Sequence, residues 1–130
     1  MKDTYHDNKA VTVIAPAVKA AAENGAAIDL SGFDSALIVI NTGAVAGSGD
    51  FGLKLQESDT TTSGDFTDVA AADQLGTIPA TLAADSTYRV GYIGSKRKRY
   101  IRAVVTKAGG TSIALSASAV LGHPAIAPVA

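Results

Sequence analysis

The hydrophobic pattern of the chain is dominated by alternation with a period of two. In residues 86–106, Tyr88, Val90 and Tyr92 alternate with smaller or polar residues, and a second alternating run covers residues 100–105. This periodicity, with many β-branched and aromatic residues, is typical of β-strands. Glycine, serine and four consecutive cations separate the two runs. The pattern therefore predicts a hairpin of two strands joined by a basic turn.

Further strands are predicted on both sides of this stretch. Residues 51–56 alternate with Phe51 and Leu55 on one face, which predicts a half-buried strand. Residues 111–121 place five apolar side chains on a single face: Ile113, Leu115, Ala117, Ala119 and Leu121. Residues 36–41 form a nearly continuous apolar run, which is typical of a strand buried on both faces. Short strands are also expected at residues 11–14, 26–30 and 66–69.

Many short strands joined by glycine-rich turns predict one all-β domain, either a compact β-barrel or a jelly-roll-like sandwich. The ends, at about residues 1–25 and 122–130, are expected to be extended arms. Residues 16–24 leave two alternatives open. Pro16, an alanine-rich middle and the stop signal Asn24-Gly25 favour a two-turn helix, but so short a helix is marginal and an extended arm fits as well.

The composition narrows the classes of protein. The 130 residues are 47% hydrophobic but only 5% aromatic, so the core consists of small side chains. Such a core buries little area per residue, and we expect association with neighbours to add stability. The absence of cysteine excludes disulfides, a thiolate nucleophile and cysteine-ligated zinc. No run of 18 apolar residues is present, so no membrane span is expected, and the charged start does not resemble a secretory signal.

Charge is balanced overall but divided along the chain. The net charge of -1 argues against a dedicated nucleic-acid binder. Residues 29–73 are acidic, with a lone Lys54, whereas residues 85–107 are basic, with a lone Asp85. This division fits complementary contacts between copies or with a charged partner.

Each candidate motif for catalysis or cofactor binding lacks a feature that its chemistry requires. Gly47, Gly49 and Gly52 match the glycine pattern of dinucleotide sites, but an alternating strand follows where the phosphate-binding helix is required. The acidic loop of residues 57–68 lacks the spacing of a calcium loop. The two histidines, at residues 6 and 123, lie at opposite ends of the sequence. We therefore expect no catalytic residue, no metal, no cofactor and no small-molecule substrate, and a protein that is not an enzyme.

The basic cluster Lys96, Arg97, Lys98 and Arg99 allows three interpretations. It is either a solvated tip that protects a sheet edge, a nucleic-acid or nuclear-targeting element, or a contact for an acidic protein surface. Balanced charge and the lack of interleaved stacking aromatics weigh against nucleic acid. The other two interpretations both remain open.

Several stretches in order along the chain resemble a family of small tailed-bacteriophage virion proteins encoded among head genes. The matching stretches are residues 5–7 (YHD), 14–17 (IAPA), 28–36 (IDLSGFDSA), 55–59 (LQESD), 88–94 (YRVGYIG), 99–102 (RYIR) and 122–124 (GHP). The resemblance implies a capsid cement or decoration protein, with a β-barrel or jelly roll and terminal arms. It also implies a position on the capsid exterior, after synthesis in the bacterial host cytoplasm.

The expected partners are the major capsid protein and copies of the chain itself, with no membrane and no specific nucleic acid. The candidate partner-binding residues are Arg89, Lys96, Arg97, Lys98, Arg99, Arg102, Tyr5 and His6. The alternative functions are a head–tail connector, a tail terminator or a tail tube subunit. A carbohydrate-binding β-module is a further alternative, but the absence of tryptophan weighs against it.

Overall fold

A computed structural model describes residues 3–92 and 98–125. Its strands are β1 Lys9–Lys19, β2 Glu23–Asn24, β3 Ile28–Asp29, β4 Phe33–Ala46, β5 Asp50–Ser58, β6 Thr67–Asp68, β7 Gln74–Leu75, β8 Thr87–Tyr92, β9 Tyr100–Gly109 and β10 Ser112–Pro124. They form two antiparallel sheets: sheet A has the order β1-β10-β4-β8-β7, and sheet B the order β2-β9-β5-β6, with β3 also paired to β9. The sheets are not closed into a barrel, so the all-β prediction is confirmed in its sandwich form.

The core lies between the two sheets and is built from the alternating residues. The five apolar residues predicted to share a face of residues 111–121 are all buried, each 3% exposed or less. In sheet B, Phe51 and Leu55 of β5 are buried whereas Lys54 is exposed. Period-two alternation thus assigned the inner and outer faces of β10 and β5 correctly, because successive side chains of a strand point to opposite faces.

The prediction that residues 36–41 are buried on both faces is wrong. Ala36, Ile38 and Ile40 are buried in the core, but Leu37 and Val39 point away from it and are only half-buried. The apolar run of β4 is therefore covered on its inner side, and its outer side remains partly open.

The predicted hairpin is also wrong, because its two strands belong to different sheets. β8 pairs with β4 and β7 in sheet A, and β9 pairs with β5, β2 and β3 in sheet B. Both strands direct apolar side chains into the core, among them Val90, Tyr92, Ile101 and Val105, each 0% exposed. Two strands in opposite sheets show the same alternation as two strands paired in a hairpin, because in both cases every second side chain points into the core.

The chain before β4 is more regular than expected. β1 pairs with β10 from Lys9 to Lys19, so these residues belong to sheet A and differ from the expected arm. Residues 16–19 are extended, and no helical turn is present there or at residues 20–24. Pro16 lacks an N–H group but lies on an edge strand, where such a group is not required. Register shifts within β1 accompany the burial of both Val13 and Ile14.

Gly25 follows β2 of sheet B directly, at a point where the backbone is hydrogen-bonded to both sheets. Its N–H donates to the Ala103 carbonyl oxygen at 2.7 Å, and the next residue, Ala26, donates to the Val13 carbonyl oxygen at 3.0 Å. A Cβ atom at residue 25 would lie 2.6 Å from the same Ala103 oxygen. Only glycine allows the chain to pass this closely.

The segment after β5 covers the free side of that strand. Val69 N–H donates to the Leu55 carbonyl oxygen at 3.0 Å, and Leu82 N–H donates to that of Phe51 at 2.8 Å. Two short 3-10 turns, Ser63–Asp65 and Ala71–Asp73, bend this segment. At the other terminus β10 extends to Pro124, so residues 122–124 belong to the sheet, and residues 126–130 of the expected arm lie outside the described residues. No helix capable of crossing a membrane occurs in residues 3–92 or 98–125.

Candidate functional site

Lys98 and Arg99, the described residues of the predicted basic cluster, lie directly before β9 and beside a cleft. Lys98 Nζ lies 3.3 Å from Asp59 Oδ2, and Arg99 forms a two-point contact with Asp29, Nε to Oδ1 at 3.0 Å and Nη2 to Oδ2 at 2.9 Å. The cleft has a volume of about 480 Å³. Its lining is formed by the turn before β4, the start of β4, the Asp59–Lys98 pair and Arg99: Leu30, Ser31, Gly32, Phe33, Asp34, Asp59, Lys98, Arg99 and Ala125. We call this feature the charged cleft.

The ion pairs of the charged cleft bring together the two oppositely charged segments of the sequence within one chain. The Arg99 guanidinium, followed by the Ser31 N–H, lowers the pKa of Asp29, and Asp29 in turn raises the pKa of Arg99. The Arg99 and Asp29 side chains are 55% and 44% exposed, so water screens the pair and its contribution to stability is small. The pairs therefore orient the cations more than they stabilise the fold.

A buried tyrosine anchors the end of the β8–β9 connection. Tyr92 is 0% exposed, its hydroxyl donates to the Glu57 carboxylate and accepts the Lys98 N–H at 3.0 Å. Burial, followed by the hydrogen bond to Glu57, raises the pKa of Tyr92 to about 12. The sequence does not predict this contact, because Glu57 and Tyr92 are 35 residues apart. These hydrogen bonds connect Tyr92 of sheet A to Glu57 of sheet B and to the backbone of Lys98.

Arg102 lies on the outer side of β9 and is only 8% exposed. Its guanidinium donates twice to the Gln56 side-chain oxygen, at 2.9 and 2.7 Å, and to Ser63 Oγ at 3.0 Å. It also stacks over the Phe66 ring at 4.3 Å. These contacts fasten the loop after β5 to sheet B. The structure thus places Arg102 in an internal role, although the sequence had suggested a partner contact.

Arg89 lies in the other sheet, with its side chain exposed on the outer face of sheet A opposite Val39. Among the described residues its guanidinium has no hydrogen bond or ion pair. The structure therefore brings Lys98 and Arg99 together but does not bring Arg89 or Arg102 to them. Lys96 and Arg97 lie outside the described residues.

Tyr5 and His6 form a turn directly before β1. His6 N–H donates to Asp3 Oδ1 at 2.8 Å, its ring Nδ1 lies 3.1 Å from the same oxygen, and Asn8 Nδ2 donates to the Thr4 carbonyl oxygen at 2.7 Å. These hydrogen bonds from His6 lower the pKa of Asp3. Tyr5 contacts the His6 ring edge-on at a centroid distance of 5.2 Å and remains 82% exposed.

The structure also forms one pair that the sequence did not predict. Ser35 Oγ lies 2.8 Å from His123 Nδ1, and His123 adopts a positive φ of 50°. In the described part of the chain no carboxylate is hydrogen-bonded to this imidazole. A serine nucleophile requires a histidine that a third group orients, so this pair lacks one element of a catalytic triad.

The remaining motifs have structural explanations. Asp65 accepts a hydrogen bond from Thr60 Oγ1 at 2.7 Å, and Asp68 binds Lys54 and Gln56. Within residues 3–92 and 98–125 no group of three potential metal ligands is found. Residues 47–49 form the turn from β4 into β5, and Gly52 lies in β5 itself, where a phosphate-binding helix would be required.

Comparison with protein-family models gives no match, and comparison with curated proteins gives none either. Among solved structures, the chain is similar to the SPBc2 prophage-derived protein YomS, with a TM-score of 0.54 and 12% identity over 93% of this chain and 97% of that one. PirA aligns over 95% of this chain and 97% of its own, with 14% identity and a TM-score of 0.39, which is too low to indicate a common fold. The chain therefore shares its fold with a prophage-derived protein.

Proposed function

We propose that this protein is a structural component of a tailed-phage virion, and that it is a cement or decoration protein bound to the major capsid protein on the capsid exterior. The observation that carries the proposal is the sandwich fold shared with the prophage-derived YomS along nearly the full length of both chains. At 12% identity this similarity concerns the fold. The role in the virion is the step that we add, and the resemblance of the sequence to phage head proteins supports it.

The surface fits a protein that acts by contact. The charged cleft holds Lys98 and Arg99 at one end of the sandwich, and the turn before β1 presents an exposed aromatic residue, Tyr5. Exposed charges of this kind set register and specificity at protein interfaces more than affinity. We also propose that the protein is not an enzyme, and the Ser35–His123 pair without a hydrogen-bonded carboxylate in the described chain supports this.

A ring-forming connector or tail subunit is the second candidate function. The observation that favours it is that sheet A ends in β1 on one side and in the two-residue strand β7 on the other. Two different edges permit head-to-tail contacts, which close into rings when the rotation between subunits allows it.

Electron cryomicroscopy of the purified virion tests the assignment. We expect copies comparable in number to the major capsid protein, whereas a ring of copies at the portal would select the connector. The variant Lys96→Ala with Arg97→Ala should fold normally and occupy fewer sites, and binding should weaken from low to physiological salt, where the screening length shortens to about 8 Å. The matched control, Lys54→Ala with Lys107→Ala, removes two cations from sheet B and should retain full occupancy. A virion without the protein would contradict the proposal.

A further inference from the structure

One apolar row crosses the outer face of sheet A from edge to edge. Strand register places Leu75, Gly91, Leu37, Val120 and Ala10 side by side on β7, β8, β4, β10 and β1. Leu75 is 55% exposed, and Leu37 and Val120 are partly exposed. The run of β4 has the composition of a strand covered on both faces, yet only its inner face is covered within the chain. The outer face is therefore suited to contact with another molecule.

This row contains a pocket beside Gly91. The pocket has a volume of about 320 Å³ and is lined by Leu37, Leu75, Gly76, Arg89 and Gly91. A Cβ atom at residue 91 would lie 3.1 Å from the Leu75 Cβ, so Leu75 packs closely over Gly91 and forms one wall of the pocket. The volume is at the lower end of the roughly 300–1,000 Å³ of ligand sites, and is suited to a single side chain.

The chemistry of the pocket defines what fits it. Its walls are apolar, and the Arg89 guanidinium has no partner in the described part of the chain. A group that combines an aromatic side chain with a nearby carboxylate would satisfy both features, as buried aromatic anchors and complementary charges do at protein interfaces.

The turn before β1 carries such a group. Tyr5, at 82%, is the most exposed of the large hydrophobic residues that the structure describes. Asp7 is exposed two residues later, and it has no hydrogen bond or ion pair within the described residues. The turn is held in shape by Asp3–His6 and Asn8–Thr4 hydrogen bonds, so Tyr5 is presented with little ordering cost.

The turn that carries Tyr5 and Asp7 and the pocket that we consider for it lie at opposite edges of sheet A. The turn leads into β1, and the pocket lies at β7, β8 and β4, with β1 and β8 separated by three strand spacings of about 4.8 Å each. A copy placed with its β1 edge beside the β7 edge of another would bring its turn to the pocket. A face-to-face pair would not satisfy Arg89, because Asp34 is the only acidic residue in the five strands of sheet A.

We propose that the N-terminal turn of one copy docks into the outer face of sheet A of the next, with Tyr5 beside Gly91 and Asp7 paired with Arg89. The contact is heterologous, so it propagates into a closed ring or an open row of copies. The inference rests on the proposed function in that a virion assembly holds many copies side by side.

Sedimentation velocity of the full chain tests the contact without a capsid. We expect concentration-dependent association below about 1 mM, weakened about tenfold by Tyr5→Ala, Arg89→Glu or Asp7→Arg. The double variant Asp7→Arg with Arg89→Glu should recover most of the loss, because the reversed charges again attract. Lys107→Glu makes the same charge change on sheet B and should leave association unchanged.

Cysteine crosslinking locates the contact independently, since the chain has no native cysteine. Asp7→Cys mixed with Thr87→Cys should form a disulfide between copies, whereas Asp7→Cys mixed with Asp68→Cys should not. A chain that stays monomeric at about 1 mM, or an association that Tyr5→Ala and Arg89→Glu leave intact, would overturn the proposal. Neither result depends on capsid occupancy, so failure here is distinct from failure of the virion assignment.

Discussion

Replacing Tyr92 by phenylalanine removes one oxygen from the junction of the two sheets. The hydroxyl donates to the Glu57 carboxylate and accepts the Lys98 N–H, and it is fully buried. A hydrogen bond to a charged group contributes about 1.5–3 kcal/mol, and a neutral one about 0.5–1.5 kcal/mol. We therefore expect Tyr92→Phe to lower the free energy of unfolding at pH 7 by about 2–4 kcal/mol.

The pH dependence of this loss has a definite sign. The pKa of Tyr92 is raised to about 12 from 10.0, so the folded state disfavours the phenolate. The contribution of Tyr92 is therefore fully present below the unfolded pKa and is lost as pH rises through the folded one. Two pKa units correspond to about 3 kcal/mol, so the stability difference between wild type and Tyr92→Phe should shrink towards zero between pH 10 and 12.

Urea denaturation at several pH values measures this difference, and phenolate absorbance identifies the group. Tyr100→Phe is the matched control, because its half-buried ring contacts Arg99 and its hydroxyl has no hydrogen bond in the described chain. It should change stability by less than about 0.5 kcal/mol. A difference titration of wild type minus Tyr92→Phe with its midpoint near 10, or a stability loss that does not change with pH, would refute the reasoning.

Two further predictions concern Gly25, where the backbone passes close to β9, and the buried side chain of Arg102. Gly25→Ala should destabilise the fold by about 2 kcal/mol or more in urea denaturation, because its Cβ would lie 2.6 Å from the Ala103 oxygen. The control Gly64→Ala should be neutral, because its Cβ would meet no atom within 4 Å. Arg102→Met should lower the free energy of unfolding by about 2–4 kcal/mol and speed hydrogen exchange in residues 60–66, because the loop loses its hydrogen bonds to the guanidinium. The control Arg99→Met breaks an exposed ion pair and should lower it by less than about 1 kcal/mol. Unchanged exchange in Arg102→Met would show that the loop is held by other contacts.

The sequence predicted faces of strands better than it predicted their partners. Alternation in residues 111–121 identifies the buried side of β10 because the period of a strand is a local property. The same alternation in β8 and β9 suggested a hairpin, although β8 pairs with β4 and β9 with β5. Pairing depends on which distant strand offers a complementary edge, and one sequence contains little information about that.

The side-chain contacts of the candidate site were also only partly predictable from the sequence. The charge division along the sequence predicted contacts between copies or with a charged partner, whereas the Arg99–Asp29 ion pair joins the two segments within one chain. The Tyr92–Glu57 and Ser35–His123 contacts were missed because their partners are 35 and 88 residues apart. The burial of Arg102 was missed because it depends on a loop that folds over sheet B.

The position of β10 has a consequence for synthesis in the cell. β10 follows every other strand of the domain along the chain, yet it lies between β1 and β4, with Leu121 opposite both Lys9 and Ala36. Sheet A therefore cannot be completed before β10 is translated: β4 can pair with β8, but β1 and the other edge of β4 stay unpaired until then. Such edges pair readily with other chains, and pairing across long sequence separations is slow. Where many nascent copies are made close together, protection of these two strands until β10 emerges becomes a condition for yield.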